Sequence, residues 1–208
     1  MEKISAHRIL AELKILPERI QAATNHEFVG FYVGEEGVPN GYKTVEEFVN
    51  RAKAKYQSLH DLIKRRNVLK AALVASNAVT IVNIAGKEMT VAEAIDRKDS
   101  IQLEKNVLNN LRGQYGNVVN RVEGQRRVLD MQVNKRIEDA AGKDRKVSKE
   151  EEESLIEMTK KRFEPHFVDP IGITEEIDRL LEEIQKFELE VDTALSESNA
   201  RTEIEIPE

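Results

Sequence analysis

A nine-residue pattern occurs twice in this chain, and it constrains the fold more than any other feature. Residues 76–84 read Ser-Asn-Ala-Val-Thr-Ile-Val-Asn-Ile, and residues 198–206 read Ser-Asn-Ala-Arg-Thr-Glu-Ile-Glu-Ile, 122 positions later. Each copy follows a stretch with helical apolar spacing and ends in alternating residues, which predicts a helix that passes directly into a strand. Because two strands alone are marginally stable, we expect both strands to join one small sheet over the ends of bundled helices.

Most of the remaining chain has the apolar spacing of amphipathic helices. Three pairs have the spacing of capping boxes, which mark helix starts: Thr44 with Glu47, Thr90 with Glu93, and Ser148 with Glu151. Pro17 favours a kink or a break near Leu16 in the first helix, and the glycines at 113, 116 and 124 favour a break near 113–117 in the third. The predicted helices span about 2–24, 45–76, 91–140, 149–163 and 175–197.

Shorter segments interrupt these helices. Ala85-Gly86 predicts the turn of a hairpin over 79–90, because glycine adopts a positive φ without steric cost. Residues 26–43 combine strand-forming aromatic and β-branched residues with turn formers, which predicts a hairpin-like insertion. Two interpretations of this insertion remain open, a cover over helix ends and a loop that contacts a partner. Residues 141–147 are predicted to be a polar linker within one helical domain, 1–208.

Composition favours a mainly α fold, namely an antiparallel helical bundle with a small β-sheet capping one end. Charged residues make up 34% of the 208 residues and aromatic residues only 5%, which disfavours a thick β-sandwich. The chain has no Cys, which excludes disulfides and thiolate metal sites. Since no apolar stretch is long enough to span a bilayer and charges occur throughout the first sixteen residues, we expect a cytoplasmic protein without membrane contact.

The familiar motifs of catalysis are missing from the sequence. It contains no nucleophile elbow, phosphate-binding glycine loop or zinc-protease motif, and its 4 His residues lack metal-ligand spacing. We therefore expect a protein that is not an enzyme and that uses no cofactor.

Charge is distributed unevenly along the chain. Residues 1–143 hold 23 basic and 18 acidic residues, whereas residues 144–208 hold 9 and 20. The pI of about 5.5 disfavours duplex nucleic acid as a partner. A local basic cluster could instead bind a smaller anion, since Arg and Lys recognise phosphate and carboxylate groups.

The sequence predicts a ligand site near the sheet, where basic side chains of two successive helices would meet residues of the repeated pattern. The competing interpretation is that these cations pair with carboxylates of the acidic last helix. The candidate ligand-binding residues are Tyr56, Lys64, Arg65, Arg66, Asn77, Arg97, Lys98, Asn199 and Arg201.

Two segments resemble a known group of proteins. Thr90-Val-Ala-Glu-Ala-Ile95 and Glu190-Val-Asp-Thr-Ala-Leu-Ser-Glu-Ser-Asn-Ala200 are similar to segments of small helical proteins described as septicolysin-like or hypothetical, from bacteria and from phages or prophages of Gram-positive hosts. The resemblance covers roughly residues 44–112 and 169–206. It implies a helical, oligomeric protein that is phage-encoded and acts in the host cytoplasm, and it implies no catalytic residues.

Taken together, these features favour a non-enzymatic, phage-type binding protein that forms a homo-oligomer. Its ligand would be an anionic small molecule, such as a nucleotide signal, or a host protein. Two alternatives remain, a structural or assembly protein of a virion or tail and an uncharacterised hydrolase.

Overall fold

The computed structural model describes residues 2–142 and 147–206, and its contacts divide them into two compact units. The first unit contains residues 2–99 and 186–206, and the second contains the residues between them. The prediction of one helical domain concerns how these units fit together, and it stays a prediction. The elements are β1 (Glu2–Ser5), α1 (Ala6–Thr24), α2 (Val45–Val79), β2 (Ile81–Ile84), β3 (Lys87–Thr90), α3 (Val91–Ala141), α4 (Lys149–Phe163), α5 (Ile173–Arg201) and β4 (Glu203–Ile206).

The mainly α fold with a minor β component is confirmed, but the prediction of one shared sheet is wrong. Strand β2 pairs with β3, and strand β4 pairs with β1, so the two copies of the repeated pattern lie in separate two-stranded sheets. Both pairs are antiparallel, and in each pair the partner strand leads directly into a helix, β3 into α3 and β1 into α1. Residues 2–5, which were predicted to be helical, form strand β1, the partner of β4. The first helix begins only after the N-cap Ser5.

The two strand pairs, β2–β3 and β1–β4, have the same register, and this extends the repeat beyond the nine residues seen in the sequence. Ile81 faces Thr90 and Ile84 faces Lys87, just as Glu203 faces Ser5 and Ile206 faces Glu2. The first copy is therefore α2–β2–β3–α3. The second copy is assembled from α5 and β4 together with β1 and α1.

The helix-to-strand junctions are held by equivalent hydrogen bonds. The Thr80 amide donates to Ser76 O at 2.9 Å, and the Thr202 amide donates to Ser198 O at the same distance. The threonine carbonyls then accept from the first residue of the next helix, Val91 N at 2.8 Å and Ala6 N at 2.9 Å. These bonds satisfy donors that helix ends leave without an intrahelical partner.

The core of the first unit lies where the two strand pairs contact the helices. In one cluster, α1 and the β1–β4 sheet pack on α2 through the buried residues Ile4, Ala6, Ile9, Leu16, Leu69, Leu73, Ile204 and Ile206. Equivalent positions of the other copy are also buried, with Ile84 at 0% exposure matching Ile206 at 1%. The alternating pattern of both strands therefore serves the same purpose, since it turns one face inward.

The second unit contains the remainder of α3, α4 and the first part of α5. The ring of Tyr115 on α3 meets the edge of Phe167, with 6.1 Å between centroids. Thr159, fully buried on α4, donates to Leu155 O and contacts Arg136 of α3. Most of the predicted linker, residues 143–146, lies outside the described residues.

Neither of the expected helix breaks occurs. Helix α1 continues through Pro17, and α3 is one helix from Val91 to Ala141. A single proline removes one backbone donor, and a helical glycine costs about 1 kcal/mol against alanine, so flanking turns can offset both. The three predicted capping positions are confirmed at Thr44, Thr90 and Ser148.

We predict that the two strand pairs, β2–β3 and β1–β4, contribute equally to stability. Ile84→Ala and Ile206→Ala should each lower the free energy of unfolding by about 2–5 kcal/mol, because each leaves a cavity under a strand. Denaturant titration followed by circular dichroism measures the loss.

Ile81→Ala is the matched control, because Ile81 lies on the same strand as Ile84 but is 58% exposed. It should cost less than about 1 kcal/mol. A large loss at one of the buried isoleucines and none at the other would contradict the structural equivalence of the two copies.

Candidate binding surface

Arg65, at the centre of the predicted ligand site, is held by carboxylates of its own unit. Its Nε donates to Glu12 Oε1 at 3.0 Å, and its Nη1 donates to Glu2 Oε2 at 2.9 Å. The hydrogen bond to Glu12 is the main cause that raises the pKa of Arg65, and Glu2 adds to it. The Arg65 side chain therefore links α2 to α1 and β1 through ion pairs, which is a structural role.

The basic residues of the next helix are engaged elsewhere. The Arg97 guanidinium lies over the Phe187 ring of α5, 4.7 Å from its centroid, and Lys98 Nζ pairs with Asp192. Pairing with the acidic last helix, the competing interpretation of the sequence, thus describes Lys98, since Asp192 belongs to α5.

A second group of predicted site residues lies near the ends of α2 and α5. Arg201 forms an ion pair with Glu197 at 3.2 Å and lines a groove of about 300 Å³ together with Thr80, Asn83 and Thr202. Asn77 and Asn199 are half-buried within α2 and α5 and do not line that groove. Lys64 and Arg66 are exposed on α2, where Arg66 donates to Asn67.

Tyr56, the remaining predicted residue, belongs to a different surface. Its ring meets the edges of Phe28 and His60, with centroids 5.7 and 4.5 Å away. Phe28 begins the stretch 28–33, Phe-Val-Gly-Phe-Tyr-Val, which we call the apolar segment. The ring of Tyr56 therefore packs against the insertion 26–43.

The apolar segment is anchored to α2 by aromatic packing. A Cβ on Gly30 would lie 2.9 Å from Phe48 Cζ, so the backbone passes directly against that ring, and any larger residue would force the ring to shift. Phe48 is buried and also meets Tyr42, 5.1 Å away. The predicted hairpin of residues 26–43 is wrong, since these residues form no strand and side chains rather than a backbone partner hold them.

Three side chains of this anchored segment point into solvent. Val29, Phe31 and Val33 are 86%, 83% and 82% exposed. Within the described ranges, the backbone of residues 27–33 forms no hydrogen bond to another part of the chain. Alternate side chains and backbone groups of one short stretch are thus available to a partner.

An apolar groove adjoins the segment. It has a volume of about 370 Å³ and is lined by Phe28, Phe48, Val49, Ala52, Lys53 and Tyr56. We call it the α2 groove. Lys53 is the charged residue on its wall, so the groove presents an apolar floor with a cation at its edge.

The charges around the groove and the segment are opposite in sign. Residues 26–38 carry three glutamates, at 27, 35 and 36, and no Lys or Arg. Residues 49–60 of α2 carry Arg51, Lys53 and Lys55 and no Asp or Glu. Among the described residues, neither Lys53 nor the three glutamates form an ion pair with one another or with a third residue.

The described residues offer neither a membrane-spanning helix nor a metal site. In residues 2–142 and 147–206, no helix combines the length and apolar character needed to cross a bilayer. The same residues contain no group of His, Asp and Glu side chains placed to hold a metal ion. No known family model matches this chain, and comparison with curated proteins and solved structures finds no similar protein. The septicolysin-like resemblance therefore stays a prediction.

We predict that Arg65 is important for folding stability and that its neighbour Arg66 is not. Arg65→Met should lower the free energy of unfolding by about 1–2 kcal/mol, because two carboxylates lose their charged donor. Arg66→Met should change it by less than about 0.5 kcal/mol.

Chemical denaturation of both variants at low and high salt measures the difference. The effect of Arg65→Met should shrink in 1 M salt, since the ion pairs are partly exposed and are screened. Equal effects of the two substitutions would contradict this structural role of Arg65.

Proposed function

We propose that this protein is a non-enzymatic binding protein that engages another protein through the apolar segment. The observation that carries the proposal is the exposure of Val29, Phe31 and Val33, each above 80%, on a stretch that aromatic contacts hold against α2. An isolated exposed apolar residue needs no explanation, but a contiguous group marks an interaction surface.

Burial of this group would favour binding substantially. Removing an apolar side chain of this size from water contributes about 1.5–3 kcal/mol. Phe31 has the properties of an anchor residue, because aromatic side chains that enter a partner's pocket dominate many interfaces. The ordered position of the segment reduces the entropy that binding would otherwise cost.

A protein ligand fits the charges better than a small anion does. Arg65, Lys98 and Arg201, which the anion site would need, each have a carboxylate partner within the first unit. An anion would have to displace these carboxylates before it gained any charged contact. Val29, Phe31 and Val33 of the apolar segment are already exposed, so a partner could contact them without displacing a charged group.

Photo-crosslinking from position 31 tests the proposal. With p-benzoylphenylalanine in place of Phe31, irradiation of cells that express the chain should give a discrete protein adduct. The same photoreactive residue in place of Leu189, which is 80% exposed on α5, provides a matched control. An adduct specific to position 31 supports a protein-binding surface.

The experiment has two results that overturn the proposal. One is the absence of any adduct from position 31. The other is the same pattern of adducts from positions 31 and 189, because exposure alone would then explain both.

A further inference from the structure

We infer that the partner of the apolar segment is a second copy of this chain, bound reciprocally so that each copy places its segment in the α2 groove of the other. This inference rests on the proposed function and adds the identity of the partner. It is carried by the adjacency of a protruding apolar segment and an apolar groove on one surface, together with their opposite charges.

Segment and groove match in chemistry. The groove lining is apolar apart from Lys53, and Phe31 and Val33 are apolar side chains that are more than 80% exposed. The groove is about 370 Å³ in volume, which is space for a large side chain rather than for a folded element. Phe31 is the largest of the three projecting residues, and we assign it to the groove of the second copy.

The flanking charges favour the same arrangement. When the segment of one copy lies in the groove of the other, Glu35 and Glu36 come near Lys53 and Arg51 of the second copy. These residues form no ion pair with one another within a single chain in the described ranges. Opposite charges across an interface steer association and fix its register.

Two-fold symmetry makes the contact occur twice. An isologous dimer uses the same patch on both copies, so that the segment of each contacts the groove of the other. Segment and groove share Phe28, which lines the groove and begins the segment, and hence they form one continuous patch. A patch that contains both complementary parts closes into a dimer and leaves neither part exposed.

A charge exchange between two variants tests the inference. Lys53→Glu with Arg51→Glu in one chain places negative grooves beside negative segments, and Glu35→Lys with Glu36→Lys in another chain places positive grooves beside positive segments. Each purified variant should dimerise at least about tenfold more weakly than the original chain at low salt, because two like-charge contacts form per dimer. An equimolar mixture should restore dimerisation, because both contacts then join opposite charges.

Sedimentation velocity over a concentration series measures these dissociation constants. Phe31→Ser should weaken the dimer at least about tenfold, whereas Leu189→Ser should leave it unchanged. Circular dichroism verifies that each variant is folded. Three results would each overturn the inference. They are a monomeric original chain, a dimer whose dissociation constant is unchanged by Phe31→Ser, and charge variants that do not dimerise when mixed.

The two proposals fail in different ways. A crosslinked adduct from position 31 with twice the 23.7 kDa mass of the chain supports the second copy as partner. An adduct of another mass, together with a monomeric purified chain, overturns the inference and leaves the proposed function standing. The absence of any adduct overturns both.

Discussion

The structure depends on a hydrogen bond that is made twice, from a threonine carbonyl after one helix to the first amide of another. Thr80 O accepts from Val91 N, and Thr202 O accepts from Ala6 N. Each bond closes an antiparallel strand pair at the point where both strands meet their helices, and it helps to set which strand residues face inward. The buried positions of Ile84 and Ile206 follow from that register, since side chains alternate along a strand.

Local patterns in the sequence predicted most of the helices and the β2–β3 turn. They did not predict how the strands pair, because strand β1 was not recognised. Capping residues marked the helix starts, and Ala85-Gly86 marked a turn whose φ angles are 54° and 75°. Ile4 fits a helical stripe as well as it fits a strand, so β1 was hidden within a predicted helix. Without β1, the strand after Thr202 had only β2 as an apparent partner.

The binding surface was predictable in composition but not in arrangement. The sequence singled out residues 26–43 and left a partner contact open, but neither periodicity nor charge shows that Gly30 lies against Phe48. The basic residues of the predicted anion site were difficult to interpret for a different reason. A cluster of cations in the sequence does not show which carboxylates, distant along the chain, will pair with them. Arg65 meets Glu2 and Glu12, 63 and 53 residues away.

The pairing of β1 with β4 has a consequence for synthesis on the ribosome. Ile204 and Ile206 are translated roughly 200 residues after Ile4, yet all three are buried in one cluster with Leu69 and Leu73. The β2–β3 hairpin joins neighbouring residues and can form early in synthesis. The equivalent β1–β4 pair can form only after residues 203–206 have been synthesised, because contacts distant in sequence form late. The nascent chain therefore exposes part of α2 to chaperones until the final strand emerges.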